Sequence, residues 1–548
     1  MRSLAVLMVL SLIIGGGLSA VGSLSAAVEG DFEYELINGG TAASITGYVG
    51  SGGDVVVPSV IAGKPVKKIA NSAFEGCENI AAISLPGSLT AIGHYAFMTC
   101  RNLTSISIPE NVTSMGIYVF NECGSLVSID VDADNPGYAS VDGVLYDKGV
   151  SILRQCPGGK TGVLDIPEGV TTITAWSLCY CAKLTSVSMP DSVTVVESFA
   201  FIGCSALASV KLSNNLTAID AGAFSYCSGL ASVQVPEGVV TIGDWAFENC
   251  RSLSSVSLPL GVESLGVSSF GYCENLTQVH IPDTVTYMSM GVFKGCTLLS
   301  AVTLPEGIPV IEGTLFMDCR SLASITIPDS VSAIYEHAFS GCVALHNLTV
   351  PANVTSIGDR AFAGCSALTY IAFEGDAPST GSDWVDDWND GLSIYFFEGS
   401  AGFTVPTWNG LPCSLFPSLP GSPVNLTAVG LGNDITITWN DPVDDGGAVI
   451  EYYVVYQDGV PVCNTTTKRV TILDLVSGET YEFKVVAHNL VGNGEMSSPV
   501  SFTAGDEVQE DDGEGGSDAM VILLAAGAVL AIVALMAIFF IVKRRGKG

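Results

Sequence analysis

The stretch that decides the fold reads Leu103-Thr104-Ser105-Ile106-Ser107-Ile108-Pro109, continues through Val112-Thr113 and Val119-Phe120, and ends at Cys123. Segments between residues 67 and 373 repeat the same residue types at the same positions. The alternating isoleucines indicate a short strand with one buried face. Proline cannot donate to a strand ladder, so it ends the strand.

The repeat has a period of 23 residues, marked by a phenylalanine and a cysteine three residues later. Because each residue type recurs once per coil, we expect the strands of successive coils to pair in parallel and the core residues to form columns. We expect Ala-Phe-x-x-Cys to form one or two helical turns. The columns predicted for the core are Phe74, Phe97, Phe120, Phe201, Phe224, Phe247, Phe270, Phe293, Phe316, Phe339 and Phe362, with Leu178 in one coil, and the cysteines that follow them.

The combination Ile-Pro-x-x-Val-Thr-x-Ile-Gly-x-x-Ala-Phe-x-x-Cys-x-x-Leu resembles the BspA-type leucine-rich repeats of bacterial, archaeal and protist surface proteins. The resemblance implies a β-rich solenoid on a cell surface that binds other proteins or host components. It implies no catalytic residues.

One step in the period is longer than the others. Cys123 and Cys181 are 58 residues apart, and the extra material lies in an insertion at residues 132–160. Asp142-Gly143 between two strand-like runs predicts a hairpin turn. We expect a hairpin that protrudes from the solenoid, either as a binding element or as a purely structural addition.

The segments that flank the repeats predict caps, because a stack of repeats leaves exposed hydrophobic ends. Residues 28–66 are expected to cap the N-terminal end, and the aromatic-rich residues 374–418 the C-terminal end. The acids Asp383, Asp386, Asp387 and Asp390 lie in the second segment. Their spacing does not match a calcium-binding loop, so a solvated loop is the favoured interpretation.

Residues 420–503 change to the pattern of antiparallel strands and resemble a fibronectin type III domain. The resemblance implies that Trp439 is the buried core tryptophan and that the hydroxyl of Tyr481 bonds back to the backbone. The usual role of such a domain is that of a spacer or adhesive module.

The two ends of the chain indicate export and membrane anchoring. Residues 1–27 have the order of a signal peptide. We expect residues 504–518 to form an acidic, disordered stalk, 519–542 a transmembrane helix, and 543–548 a basic cytoplasmic tail. The expected product is a single-pass cell-membrane protein with an extracellular ectodomain and a short cytoplasmic C-terminus.

Composition and motifs exclude several classes of function. The formal charge of -34 argues against nucleic acid as a partner, because phosphate binding needs a basic face. The five histidines have no metal-ligand spacing, and no nucleophile elbow is present. We therefore predict no metal, no cofactor and no catalysis. The repeat cysteines are expected to be buried and reduced, and a bridge between Cys156 and Cys179 stays open.

The exposed position between the two strand aliphatics is the first place to look for a binding surface. It carries mostly small hydroxyl residues, with larger groups at Lys211, Gln234 and His280, which are the candidate binding residues. The alternative is that serine and threonine merely tolerate close parallel stacking. The full column reads Ser84, Ser107, Asp130, Asp165, Ser188, Lys211, Gln234, Ser257, His280, Thr303, Thr326 and Thr349.

Eight asparagines lie in glycosylation sequons, which an exported chain can use. Several of them arise from repeated residues of the 23-residue unit. They are Asn102, Asn111, Asn215, Asn275, Asn347, Asn353, Asn425 and Asn464.

Three hypotheses about function follow from these observations. The first is a cell-surface protein for adhesion or protein recognition through the solenoid, with an extracellular protein or cell-surface ligand as partner. The second is a structural envelope component that self-associates. The third is an extracellular glycan-active protein, for which no pair of cleft carboxylates can be identified.

Overall fold

The computed structural model describes residues 27–386, 391–431 and 433–505. It contains two compact units. The first comprises the chain up to residue 370 together with residues 378–392, and the second comprises residues 371–377 and the chain from residue 393. The first unit contains nearly all of the repeats and residues 378–392 of the aromatic-rich segment, and the second contains the rest of that segment and the C-terminal domain.

Nearly all the regular structure consists of short strands. The N-terminal strands are β1 (Ala27–Glu29), β2 (Phe32–Ile37), β3 (Ala42–Tyr48), β4 (Gly53–Val56), β5 (Val60–Ile61) and β6 (Lys64–Ile69), with a 3-10 turn at Asn38–Gly40. The next strands are β7 (Ile80–Ser84), β8 (Ala91–Ile92), β9 (Ser105–Ile108), β10 (Ser114–Met115) and β11 (Ser128–Val131). The insertion contributes β12 (Tyr138–Val141), β13 (Val144–Asp147) and β14 (Ile152–Gln155).

The later repeats continue the same alternation of a longer and a shorter strand. They contain β15 (Gly162–Asp165), β16 (Thr172–Ile173), β17 (Leu184–Ser188), β18 (Val195–Val196), β19 (Ser209–Lys211), β20 (Ala218–Ile219), β21 (Ser232–Gln234), β22 (Thr241–Ile242) and β23 (Ser255–Ser257). They end with β24 (Ser264–Leu265), β25 (Gln278–His280), β26 (Tyr287–Met288), β27 (Ala301–Thr303), β28 (Val310–Ile311), β29 (Ala333–Ile334), β30 (Asn347–Val350) and β31 (Ser356–Ile357).

The remaining strands belong to the aromatic segment and the C-terminal domain. The first group is β32 (Tyr370–Phe373), β33 (Ser379–Thr380), β34 (Ser393–Phe396), β35 (Thr407–Trp408) and β36 (Leu411–Leu415). The second group is β37 (Val424–Leu431), β38 (Asp434–Asn440), β39 (Tyr452–Gln457), β40 (Val460–Thr465), β41 (Arg469–Ile472), β42 (Thr480–Asn489), β43 (Gly492–Met496) and β44 (Val500–Thr503).

The repeats form a parallel β-solenoid, as the sequence predicts. Most coils contribute a longer strand to one ladder and a two-residue strand to a second ladder, whereas residues 324–327 of one coil form no strand. The register advances by one repeat, so that Ser105 lies beside Ser128 and Thr241 lies beside Ser264. Two strands of the segment predicted as an N-terminal cap already belong to these ladders, since β3 pairs in parallel with β6 and β4 with β7.

The segment expected to be helical forms a turn instead, and the expectation of helical turns is wrong. Alternate backbone N–H groups of the turn donate to the next coil, as Phe97 does to the carbonyl of Val119 at 3.0 Å. Other N–H groups close four-residue turns, as Cys100 does with the carbonyl of Phe97 at 3.2 Å. An α-helix needs these groups for bonds within the segment, so the stacking of coils excludes it.

Two columns of this turn lie in the left-handed backbone region. Tyr118 has φ 58° and Glu122 has φ 60°, and their counterparts in the other coils share this conformation. The first column is Ser72, Tyr95, Tyr118, Trp176, Phe199, Gly222, Trp245, Ser268, Gly291, Thr314, His337, Arg360 and Asp383. The second is Gly76, Thr99, Glu122, Tyr180, Gly203, Tyr226, Asn249, Tyr272, Gly295, Asp318, Gly341 and Gly364.

The phenylalanines form the predicted column in the core. Consecutive rings stack with centroids 5.0 to 5.9 Å apart and interplanar angles of 3° to 17°. The column is interrupted between Phe120 and Phe201, where Leu178 takes the place of one ring. Rows of buried leucine, isoleucine and valine fill the rest of the core.

The repeated cysteines do more than fill space. In most coils the thiol donates a hydrogen bond to the backbone carbonyl at the phenylalanine position of the preceding coil, over 3.1 to 3.3 Å. Cys250, for example, bonds to Phe224. All sixteen cysteines are free thiols, including Cys156 and Cys179. A small side chain that packs well and also donates explains why cysteine occupies this position.

The insertion contains the hairpin, but it does not protrude. Strands β12 and β13 pair antiparallel, with Val141 opposite Val144. The turn residues Asp142 and Gly143 both have positive φ, which matches a two-residue hairpin turn. Val144, Leu145 and Tyr146 are buried because β13 packs inside the stack. The expectation of a protruding hairpin is therefore wrong.

The second unit begins with a cluster of aromatic side chains. The rings of Phe396 and Phe403 stack at 4.9 Å, and Phe373 meets Trp408 edge to face at 5.6 Å. Strands β34 and β36 pair in parallel, and β35 pairs antiparallel with β36.

The C-terminal domain is a sandwich of two antiparallel sheets. One sheet has the order β37-β38-β41, and the other has β40-β39-β42-β43 with β44 also paired to β42. Trp439 is buried in the core, and the hydroxyl of Tyr481 accepts a hydrogen bond from the backbone N–H of Val476 at 3.1 Å. Both features match the roles predicted for these residues.

In the described ranges no helix is long and apolar enough to cross a membrane. The transmembrane segment predicted at 519–542 and the tail at 543–548 lie outside the described residues. The same holds for the predicted signal peptide except Ala27, and for the stalk beyond residue 505.

Replacing a stacked ring will test the phenylalanine column. Phe247 lies between two rings at 5.5 and 5.4 Å. Phe247→Ala should lower the free energy of unfolding in urea by about 3–5 kcal/mol, because it leaves a cavity. Phe247→Leu should cost less than about 1.5 kcal/mol, since repacking around a side chain of similar volume is tolerated, as at Leu178. Equal losses for both variants would contradict this role for the ring.

The buried thiols make the stability depend on pH. Burial raises the pKa of Cys123 and of Cys296 to about 12 in the folded chain. Their contribution is therefore complete below the unfolded thiol pKa of about 8.5 and is lost as the pH rises towards 12. We expect the free energy of unfolding to fall between pH 9 and 11. The double variant Cys123→Ala/Cys296→Ala should show a shallower fall, and an unchanged slope would contradict the prediction.

The left-handed columns predict an unusual stabilising substitution. Thr314 has φ 54°, where a β-branched side chain is strained. Thr314→Gly should raise the free energy of unfolding by about 0.5–1 kcal/mol, because the gain from relieved strain exceeds the entropy cost of glycine. Thr303→Gly, on the exposed face of β27, should lower it by about the same amount. Urea titration of both variants will measure these changes, and a lower free energy of unfolding for both would refute the prediction.

Candidate functional site

The longer strands form an exposed face, which we call the strand face. In β9 the side chains of Ser105 and Ser107 are exposed, whereas Ile106 and Ile108 are buried. The same alternation recurs in the other coils, so two columns of side chains point outward. Most of them are serine or threonine, and the hydroxyls of Ser186 and Ser209 hydrogen-bond between coils at 3.0 Å. The strand face is therefore polar and built from small side chains.

The structure places the three candidate binding residues in one column of the strand face. Lys211 ends β19, Gln234 ends β21 in the next coil, and His280 ends β25 two coils later. All three are exposed. None makes a hydrogen bond or ion pair with another described residue, so their polar atoms are available to a partner. With strands about 4.8 Å apart, they span about 14 Å.

The border of the strand face is ordered near Lys211. The carboxylate of Asp191 accepts hydrogen bonds from the backbone N–H and side chain of Asn214 in the following coil, at 3.1 and 3.3 Å. These bonds, with the charge of Lys211, hold the pKa of Asp191 below its ordinary value. The carboxylate therefore stays charged beside the lysine and adds an acceptor to this edge.

All eight sequon asparagines are exposed. Three of them already use the side-chain nitrogen, to which a glycan would be attached. Asn111, Asn215 and Asn353 donate it to backbone carbonyls of the preceding coil at 2.7 to 2.9 Å. Within the solenoid, Asn102, Asn275 and Asn347 make no such bond with the described residues, so their side-chain nitrogens are not engaged in this way.

An aromatic column on the turn side was missed by the sequence reasoning. Tyr95 stacks on Tyr118 at 5.5 Å, Tyr118 meets Trp176 edge to face at 5.9 Å, and Trp176 stacks on Phe199 at 4.8 Å. The rings lie at successive positions of the first left-handed column. The recurrence of these aromatic residues at the repeat interval is the feature of the sequence from which the column could have been predicted. The column ends at Gly222, where an added Cβ would collide with the ring of Phe199.

Among the described residues, no group of three histidine, cysteine or acidic side chains could hold a metal ion. Asp386 accepts a hydrogen bond from the backbone N–H of Gly364, and Asp383 lies 3.9 Å from Arg360. Asp387 and Asp390 lie outside the described residues. Each of the two described acids therefore interacts with a neighbouring residue of the chain.

The comparisons with known proteins fit this architecture. The model of the "BspA type Leucine rich repeat region" matches in six copies, over residues 56–136, 160–277 and 263–383. The model of the "Fibronectin type III domain" matches residues 421–503. The fold thus defines a leucine-rich repeat solenoid followed by a fibronectin type III domain. Because the repeat model covers more than half of the chain, the protein belongs to the BspA-type leucine-rich repeat family.

Relatives share only parts of the chain. An ephrin type-A receptor 4-A from Xenopus laevis is 31% identical over 121 residues, which are 21% of this chain and 12% of the receptor. A Kelch domain-containing protein from Sulfurisphaera tokodaii is 38% identical over 101 residues, 18% of this chain and 14% of that protein. The chain therefore spans less than a sixth of either relative. A solved leucine-rich repeat protein from Bacteroides ovatus is 22% identical, with a TM-score of 0.47, and covers 71% of this chain and 99% of its own.

The combination of these two domains has a general functional meaning. A leucine-rich repeat solenoid with a fibronectin type III domain is typical of a cell-surface or extracellular protein that interacts with other proteins. Neither matched family is typically catalytic, and neither indicates binding of nucleic acid.

Proposed function

We propose that this chain is a non-catalytic adhesion protein of the cell surface that recognises an extracellular protein through the strand face. The observation that carries the proposal is the continuous exposed column in which Lys211, Gln234 and His280 have no partner among the described residues. Stacked coils repeat this column at regular intervals, and extended surfaces of this kind are what solenoids use for binding.

The chemistry of the strand face defines the partner it fits. The face has no aromatic anchors of the kind that dominate the energy of many interfaces. Its serine and threonine hydroxyls donate and accept hydrogen bonds, and Lys211 adds a positive charge to a chain with a net charge of -34. A polar protein surface with an acidic group opposite Lys211 is the complementary partner.

The proposed anchoring follows from the chain ends. A signal peptide at 1–27 would export the chain, and a helix at 519–542 would hold it in the membrane by a single span. The acidic residues 504–518 and the fibronectin type III domain would act as stalk and spacer. This arrangement keeps the solenoid outside the cell, where an adhesive surface has to act.

The strand face can be tested in an adhesion assay. Cells that display the full chain are allowed to bind immobilised collagen, laminin and fibronectin. The triple variant Lys211→Ala/Gln234→Ala/His280→Ala should weaken binding to any protein that the native chain binds by about tenfold or more, because central polar contacts are removed.

The matched control is Arg251→Ala/Arg320→Ala/Arg360→Ala. These three arginines are exposed and lie off the strand face in weak surface ion pairs. The control variant should bind like the native chain. If the triple strand-face variant also binds normally, the strand face is not the adhesive surface. Self-association of the chain in sedimentation, with no binding to any of the proteins, would favour the envelope-coat function instead.

A further inference from the structure

The insertion opens a cleft in the solenoid. The cleft has a volume of about 350 Å³ and is lined by residues of the coil before the insertion, of the insertion itself and of the two coils after it. Ligand pockets of proteins begin at about 300 Å³, so the space suffices for a small ligand. It is also much larger than the site of a single structural water.

The cleft lies where the insertion interrupts both ladders that join the coils. Strand β10 is the last of its sheet, and the next sheet begins with β12 of the insertion. The backbone N–H of Met115 donates instead to the hydroxyl of Tyr138 at 3.0 Å. The stack of phenylalanine rings also stops, since the coil after Phe120 supplies no ring to the column.

The break leaves hydrogen-bond donors without acceptors. In the preceding coil, the N–H groups of Tyr95 and Phe97 donate across to the carbonyls of Ile117 and Val119 at 3.1 and 3.0 Å. By the symmetry of the repeat, the N–H groups of Tyr118 and Phe120 face the cleft. Neither has an acceptor in the part of the chain that the structure describes.

A buried acceptor lies beside these donors. Asn121 lines the cleft and is only 5% exposed, and its side-chain oxygen has no hydrogen-bond partner among the described residues. Burying an unpaired amide oxygen costs about 1–3 kcal/mol. Met98 occupies the same position in the preceding coil, so the stack itself does not require an amide there.

The remaining walls combine aromatic and charged groups. The ring of Tyr118 lies at the rim, where it contacts Trp176 edge to face. Arg154 and Glu197 both line the cleft and carry opposite charges. The carboxylate of Glu197 is held by the backbone N–H of Ala175 at 2.8 Å. These two groups leave the cleft without a net charge, which favours an uncharged ligand.

We propose that this cleft binds a neutral saccharide unit. A hydroxyl group donates one hydrogen bond and accepts others, so it can satisfy the N–H of Tyr118 or Phe120 and the oxygen of Asn121 together. A sugar ring presents several such hydroxyls and an apolar face that packs against the edge of the Tyr118 ring, since one face of that ring stacks on Tyr95. The saccharide binds at the break of the solenoid, separately from the strand face.

The test uses the full chain and an array of neutral oligosaccharides of two to four units, built from glucose, galactose, mannose and N-acetylglucosamine. Hits are measured by isothermal titration calorimetry. At least one saccharide should bind with one site per chain. Tyr118→Gly removes the ring and places a glycine, which adopts the left-handed conformation readily, at this position. Asn121→Met introduces the residue found at the equivalent position of the preceding coil. Each should weaken binding by about tenfold or more.

The matched control is Trp245→Gly, which removes a ring from the same left-handed column three coils beyond Trp176. It should leave the affinity unchanged, as should the triple strand-face variant, so that this proposal and the adhesion function fail independently. If no saccharide binds, or if Tyr118→Gly and Asn121→Met bind as tightly as the native chain, the cleft is not a saccharide site.

Discussion

The hydrogen bond from the turn of one coil to the turn of the next is the interaction on which the solenoid depends. Phe74 donates to Ala96, Phe97 to Val119 and Phe224 to Ala246, always from one repeat to its successor. Each bond fixes the register of two coils. The register of the strands on the opposite side of the coil is thereby determined as well. The cysteine thiols add a second bond to the same turn. The left-handed conformations make this geometry possible, at a cost of about 1–2 kcal/mol for each non-glycine residue.

Much of this architecture follows from the sequence, because a stacked repeat converts spacing into contact. The 23-residue interval predicts the parallel register, the phenylalanine column and the buried cysteines. Trp439 and Tyr481 likewise predict the C-terminal sandwich, because each has a fixed role in the fibronectin type III fold. In these places a residue type and its position determine one physical role.

The turn could not be predicted in the same way. Ala-Phe-x-x-Cys has the local composition of a helix, and only the bonds to the neighbouring coil exclude one. Those bonds join residues 22 positions apart in the chain, so no local pattern reveals them. Aromatic residues at left-handed positions, such as Tyr118 and Trp176, are equally unexpected, because glycine and asparagine are the usual occupants. The cleft was missed because a longer interval shows that material is inserted, but not which bonds it breaks.

The aromatic column also bears on where recognition takes place. Gly222 and Gly291 show that the fold needs no side chain at the first left-handed position. Yet Tyr95, Tyr118, Trp176 and Phe199 fill it in consecutive turns of this type, on both sides of the insertion. Each ring adds strain to the backbone and lies outside the core. Stacking of the coils therefore does not require them, and the saccharide proposed at the break in the solenoid would account for Tyr118, the ring of these four that lines the cleft. We therefore expect recognition to depend on residues whose identity the stacking of the coils does not determine.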